Sequence, residues 1–280
     1  MHMKIYGQNN LACSKITTQT YSTSFSLGVR LFHKDIRAPI YAIYGFVRFA
    51  DEIVDSFFAY PQKYLFEEFK SETFKAIERG ISTNPIIHSF QWVVNKYNIT
   101  IDLIQAFLHS MEMDLHQNNY DTEDFQSYVY GSAEVVGLMC LHVFCNGEKK
   151  IYDQLTYPAR KLGEAFQKVN FLRDIESDFE DRGRIYFPNI PDFYQFNEHI
   201  KDRIIDDIDY DLGEAFQGII NLPKKARLGV YLAYLYYINL LKKIKKTPAE
   251  SLAKKRVRIS NGFKLYLLAL AWLRSRFNLI

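Results

Sequence analysis

This 280-residue chain is poor in cysteine, with only Cys13, Cys140 and Cys145. Three such residues fit neither a disulfide framework nor a zinc-type ligand spacing, so a reducing cytoplasm is the expected compartment. Net charge is small, +3, and gives no basis for general nucleic-acid binding. The N-terminus has no signal-peptide core. No run reaches the roughly 18 uninterrupted apolar residues of a membrane span. The apolar stretch Leu265–Leu273 is short and ends at Arg274. Also missing are a glycine-rich phosphate loop, a G-x-S-x-G elbow and an H-E-x-x-H pair, which removes the commonest nucleotide, serine-hydrolase and zinc-protease readings. His109 and His116, seven apart, are read as surface or satisfied histidines.

Glycine and proline are sparse, with 13 and 8 residues. The prolines at 39, 61, 85, 158, 188, 191, 223 and 248 read as punctuation between segments of helix length. Apolar residues recur at three- and four-residue steps, as in Ile43, Phe46, Val47 and Ala50, in Leu103, Phe107 and Met111, and in Leu228, Leu232, Leu235 and Ile238. That period is helical. No alternating strand pattern appears, and Arg184–Pro191 reads as an irregular connection. No linker or low-complexity tract divides the chain, so residues 1–280 are expected to form one all-α domain. The hexapeptide Leu-Gly-Glu-Ala-Phe-Gln occurs at 162–167 and 212–217; its flanks diverge, so it is coincidence rather than a structural repeat.

What the chain has in abundance is aromatic residues, 22 Phe and 20 Tyr, enough to fill a core or to line a pocket for a long apolar ligand. It also has two polar stripes. In 41–55 the spacing puts Tyr44, Arg48, Asp51 and Asp55 on one helical face, with Glu52 beside them. In 167–178 it does the same for Gln167, Asn170, Asp174 and Asp178, with Arg173 adjacent. Acidic pairs at this spacing usually belong to solvated helix faces. Here both stripes lie in helices too apolar for the surface, and a buried carboxylate needs a cation or donors. Two facing aspartate pairs would form an oxygen-rich cage suited to Mg²⁺, which takes one or two carboxylates and completes its shell with water and phosphate oxygens. Arginines supply bidentate donors for the same phosphates. The expected chemistry is electrophilic: neutralising a leaving diphosphate so that a carbon–oxygen bond ionises in an aromatic, dry pocket.

At these residues the sequence resembles the phytoene and squalene synthase family, from about Tyr21 onward. Tyr21-Ser-Thr-Ser-Phe25 is similar to its S-x-S-F motif, Arg48–Asp55 to its first aspartate motif, with Glu52 where a second adjacent aspartate often stands, and Gln167–Asp178 with the following Arg182–Pro188 to its second. The resemblance implies an isoprenoid-synthase-type helical bundle around a central hydrophobic cavity. It implies a prenyltransferase of the 15-cis-phytoene-forming type, which joins two geranylgeranyl diphosphates head to head through a cyclopropyl diphosphate. Asp51, Asp55, Asn170, Asp174 and Asp178 would hold Mg²⁺, with Mn²⁺ as a substitute. Arg48 and Arg173 would complete the catalytic set, and no NADPH is expected. Ser22, Phe25, Tyr44, Tyr130, Gln167, Arg184, Tyr186, Tyr237 and Arg256 are carried over as substrate contacts, beside Asn170. The shortness of the chain and the absence of a C-terminal anchor favour this branch. The alternatives are dehydrosqualene or squalene formation from farnesyl diphosphate and, more remotely, an inactive relative acting in assembly. An apolar product implies peripheral membrane contact at the inner face of the cell membrane, through the basic segments Lys242–Lys246 and Lys254–Arg258, and leaves room for contact with other carotenoid-pathway enzymes.

Overall fold

The computed structural model describes residues 2–117, 119–188, 190 and 195–277. The expected all-α architecture is found. Among the described residues no strand forms, only an isolated parallel bridge between Asn119 and Ile185. Helices α1 (His2–Tyr21), α2 (Thr23–Leu31), α3 (Lys34–Ser56), α4 (Gln62–Arg79), α5 (Pro85–Tyr97) and α6 (Ile101–Met113) come first. Next α7 (Thr122–Val129) passes through a π-helical turn, Tyr130–Glu134, into α8 (Val135–Cys145). The chain continues as α9 (Lys149–Arg182), α10 (Glu198–Asn221), α11 (Lys224–Lys245), the short α12 (Ala249–Leu252) and α13 (Asn261–Arg276).

Local chemistry sets many of the ends. Ser22 accepts from the Phe25 N–H at 3.3 Å to open α2, and Asn84 caps α5 just ahead of Pro85. Asp121 opens α7, accepting from the Asp124 N–H at 2.8 Å. Gly183 closes α9 in the left-handed region (φ +66°), where only glycine sits without strain. Two prolines depart from the expected punctuation: Pro39 lies inside α3 and Pro158 inside α9. The Pro158 ring faces Gly218 on α10, where a Cβ would come within 2.5 Å of it, so close helix packing accommodates the break that proline ordinarily makes. Pro191 lies outside the described residues.

The apolar stripes go where their period points. In α3, Ile43, Phe46 and Ala50 are buried; Phe46 stacks on Phe90 with centroids 3.8 Å apart and touches Phe69 and Phe107. This is the first of two cores. The second is built on α9, α10 and α11 from residues such as Val169, Leu172, Ile208 and Leu240. α9 and α10 run antiparallel, as the cross-contacts of Pro158 with Gly218, Lys161 with Asp211 and Lys168 with Asp207 require. Glu164, Asp207 and Asp211 converge closely enough to ligate an ion. Lys161 and Lys168 already supply the counter-charge, each 2.8 Å from an Asp211 oxygen, so the cluster is a helix–helix clamp. Thr122–Cys145 is apolar and long enough to cross a membrane, but more than half of its most apolar stretch is buried, packed against α6 and α9.

α2 and α11 approach closely at Gly229, where a Cβ would stand 2.3 Å from the Phe32 ring. Gly229→Ala is expected to cost about 1–3 kcal/mol of stability through overpacking. Gly28→Ala, whose new Cβ would have only an ordinary 3.5 Å contact, should cost nothing measurable. Urea midpoints of the two variants check this.

Candidate active site

A cavity of about 830 Å³ lies between the two cores, walled by α2, α3, α8, α9, α11 and α13. It follows α9 from Leu155 to Asp178, which at 1.5 Å per residue is roughly 35 Å of helix. One end is apolar, with Phe32, Phe144, Leu141, Leu155 and Leu222; the other carries both acidic stripes. Aromatic residues serve in both cores and in this wall. Phe25 stacks on Tyr44 with centroids 4.4 Å apart, and Phe166 stacks on Tyr237 at 3.8 Å.

At the polar end Arg48 binds both Asp51 and Glu52, while its guanidinium lies 4.3 Å over the Tyr21 ring. Asp55 accepts from Arg184 Nη1 at 2.7 Å and pairs with Arg182 Nε at 3.5 Å. Arg182 also donates to Asp178 at 2.9 Å, so one arginine ties the second acidic stripe to the first. Asp174 is held by Arg173 Nε at 2.9 Å and Nη2 at 2.5 Å, and by Arg256 Nε at 2.7 Å. Asn170 Oδ1 accepts from the Tyr237 hydroxyl at 3.1 Å.

These residues fit a divalent cation. Burial and repulsion from Asp55 push the Asp51 carboxyl up to about 7, against the pull of Arg48. Burial and repulsion from Asp174 likewise push Asp178 up to about 7, against Arg182. In each stripe burial and a second carboxylate disfavour the charged form even with arginines at hand, a setting that a cation relieves, and the donors are all oxygen. No three of these aspartates converge within the reach of a single ion, since the convergent carboxylate group among the described residues is the lysine-filled one on α9 and α10. The arrangement suits ions held by one or two carboxylates each, with the remaining positions left to water and to phosphate oxygens.

The structure brings Arg48, Asp51, Asp55, Arg173, Asp174 and Asp178 to this wall, together with Ser22, Phe25, Tyr44, Gln167, Asn170, Tyr186, Tyr237 and Arg256. It does not bring Tyr130 or Arg184 there. Tyr130 sits in the π-helical turn with the Arg160 guanidinium 5.1 Å over its ring. Arg184 lies behind Asp55, only 5% exposed. It is sent there by the left-handed turn at Gly183, and its own N–H closes back on the Asp178 carbonyl at 2.8 Å.

Arg184 belongs to a buried network that sequence reading missed. Its Nη2 donates to the Asp114 carbonyl at 3.0 Å, and its Nη1 lies 3.6 Å from the Asp114 carboxylate. That carboxylate accepts from Tyr120 at 3.0 Å, Tyr128 at 2.7 Å and Tyr186 at 3.2 Å. Burial raises Asp114 to about 6 although Arg184 and the tyrosines favour its charge, and burial drives the Tyr128 and Tyr186 hydroxyls well above their ordinary range. The signal available in the sequence was slight: Asp114 closes the largely apolar helix 101–113, two residues after another acid, Glu112.

A family model described as squalene/phytoene synthase matches residues 18–190. Phytoene synthase of Arthrospira platensis is 29% identical, over 94% of this chain and 92% of its own. The 4,4'-diapophytoene synthase of Staphylococcus haemolyticus is 27% identical, over 72% of this chain and 70% of its own. Among solved structures, a ligand-bound dehydrosqualene synthase superimposes with a TM-score of 0.81 at 21% identity, covering 96% of this chain and 98% of the other. The last likeness speaks for the fold, and the family match spans more than half of the chain with both acidic stripes inside it: this protein belongs to the squalene/phytoene synthase family.

Proposed function

We propose that the protein condenses two geranylgeranyl diphosphates to phytoene. The observation that carries this reading is one cavity, running along α9, with two acidic, arginine-bound stripes toward one end and an apolar lining toward the other. The acidic end suits diphosphates, and the apolar lining suits prenyl tails of several isoprene units. Relatives from Arthrospira platensis and Synechococcus elongatus named phytoene synthases, at 29% identity across 94% of this chain, support the C20 substrate.

Mg²⁺, held by Asp51 and Asp55 and by Asn170, Asp174 and Asp178, would neutralise charge building on the leaving diphosphate. The chain's own groups do the rest. Arg48, Arg173 and Arg256 turn from their carboxylates to phosphate oxygens when substrate enters, adding directed donors. Arg184 and the buried tyrosines keep Asp55 in place. The first substrate loses diphosphate; its allylic cation is captured by the double bond of the second, and loss of a proton leaves a cyclopropyl diphosphate. Ionisation of that intermediate, rearrangement and loss of a second proton give phytoene. Phe25, Tyr44, Phe166, Phe171 and Tyr237 present ring faces that stabilise cationic carbon and exclude water. Ser22 and Phe25 form the start of α2 over this end of the cavity.

The test is product identity. Purified protein with Mg²⁺ and geranylgeranyl diphosphate, without NADPH, is expected to give a C40 hydrocarbon with a triene chromophore. A C30 product from farnesyl diphosphate, with nothing from the C20 substrate, would move the enzyme to the dehydrosqualene side with the same residues in the same roles.

A further inference from the structure

The outer side of α13 is apolar where a surface helix should be polar. Phe263, Tyr266, Leu273 and Phe277 are exposed along one stripe, and Leu265 and Trp272 are exposed on the adjoining side, where Arg276 also lies; Leu270 packs partly against the protein's own core. Leu265 is 60%, Trp272 55% and Phe277 69% exposed. The opposite, narrower side holds the helix to the protein: Leu267 and Ala271 are buried, and Arg274 donates to the Tyr231 hydroxyl at 2.7 Å. Apolar residues on both sides of a helix mean two apolar environments, and the protein supplies only one. A contiguous patch of this kind marks an interaction surface.

We infer that this face of α13 lies in the interface of an anionic lipid bilayer. Charge selects this occupant. α13 contains no acidic residue, and exposed basic groups border it: Lys254, Lys255 and Arg258 immediately precede it. Lys243, whose ammonium group binds the Arg258 carbonyl at 2.7 Å, joins the α11 lysines to the same border. An apolar stripe with a basic rim is the pattern of an interfacial helix, with headgroups meeting the rim and acyl chains the stripe. Arg256 is not part of the rim, because it is turned inward to Asp174. The inner side of the same helix walls the cavity through Lys264 and Leu267. A lipid-seated α13 would therefore place the cavity wall against the phase that supplies prenyl substrates and takes up an apolar product. That use rests on the function proposed above; the surface itself does not.

The experiment is co-sedimentation with vesicles of phosphatidylglycerol and phosphatidylcholine in equal parts, without substrate. The wild-type chain is expected to bind, and to bind less with phosphatidylcholine alone. The triple variant Leu265→Ser, Trp272→Ser, Phe277→Ser should partition on the order of 100-fold more weakly, while turnover of detergent-dispersed substrate stays unchanged. A second reading uses Trp272 as its own reporter. In a Trp92→Phe background its emission should shift to the blue on adding anionic vesicles. Equal vesicle binding by wild type and variant, or no shift of Trp272, overturns the inference. So does a wild-type dimer that the triple substitution converts to monomer, because the face would then be a contact between protein chains. Vesicle binding is read without turnover, so failure here leaves the catalytic proposal standing, and the reverse also holds.

Discussion

Arg184→Ala is expected to destabilise the fold by about 3–5 kcal/mol, the usual cost of removing one partner from a buried ion pair. Arg184 is the counter-charge of two carboxylates, Asp55 at 2.7 Å and Asp114 at 3.6 Å, and it also satisfies the Asp114 carbonyl at 3.0 Å. Without it Asp114 keeps its three tyrosine donors and loses the cation that holds its pKa down; burial already lifts that pKa to about 6. In the variant it rises further. A carboxyl whose folded pKa exceeds its unfolded value binds more protons when folded, so stability falls as pH rises from the unfolded to the folded pKa. The deficit of Arg184→Ala should therefore be smaller near pH 5 than near pH 8. Urea unfolding followed by circular dichroism at both pH values checks size and direction. A loss below about 1 kcal/mol at both would mean that Arg184 does not organise the site.

Asp51→Asn and Asp178→Asn are expected to separate stability from activity. Each amide keeps the shape of the side chain and removes a charge that burial and a neighbouring aspartate oppose, as the displacement of both carboxyls to about 7 indicates. Without Mg²⁺ the variants should melt no lower than the parent. With Mg²⁺ and substrate they should lose turnover on the order of 10³-fold, because a diphosphate leaving group that is no longer neutralised forfeits several kcal/mol of transition-state stabilisation. A residue kept only for structure would show the opposite pattern, with lower stability and activity in proportion to folded protein.

Both acidic stripes were legible because their signal is local. Residues at i, i+3 and i+4 share a helix face whatever surrounds them, and all six catalytic candidates line one cavity wall. The all-α architecture was legible for the same reason. The Asp114 network was not. It joins the end of α6, the segment from Tyr120 to Tyr128 and the turn after α9, and its link from Arg184 to Asp55 spans 129 positions. No periodicity encodes such a meeting. Arg184, expected among the substrate contacts, does not line the cavity and donates to Asp55, since the Gly183 turn directs it behind the wall rather than into it. Pro158 misled as punctuation because the cost of a mid-helix proline is met by packing against Gly218, on a helix that folds back from 60 positions away. Within the second basic cluster Arg256, expected among the substrate contacts, lines the cavity at Asp174, while Lys254, Lys255 and Arg258 are exposed.

Diphosphate release is the most direct test of the two aspartate stripes. Protein stripped with chelator and mixed with geranylgeranyl diphosphate should release none; adding Mg²⁺ should start release together with a C40 hydrocarbon, and Asp51→Asn should slow both on the order of 10³-fold. Release at the same rate in chelator, or none at any Mg²⁺ concentration with either C15 or C20 substrate, would contradict the assignment of the two aspartate stripes to ionisation of a prenyl diphosphate.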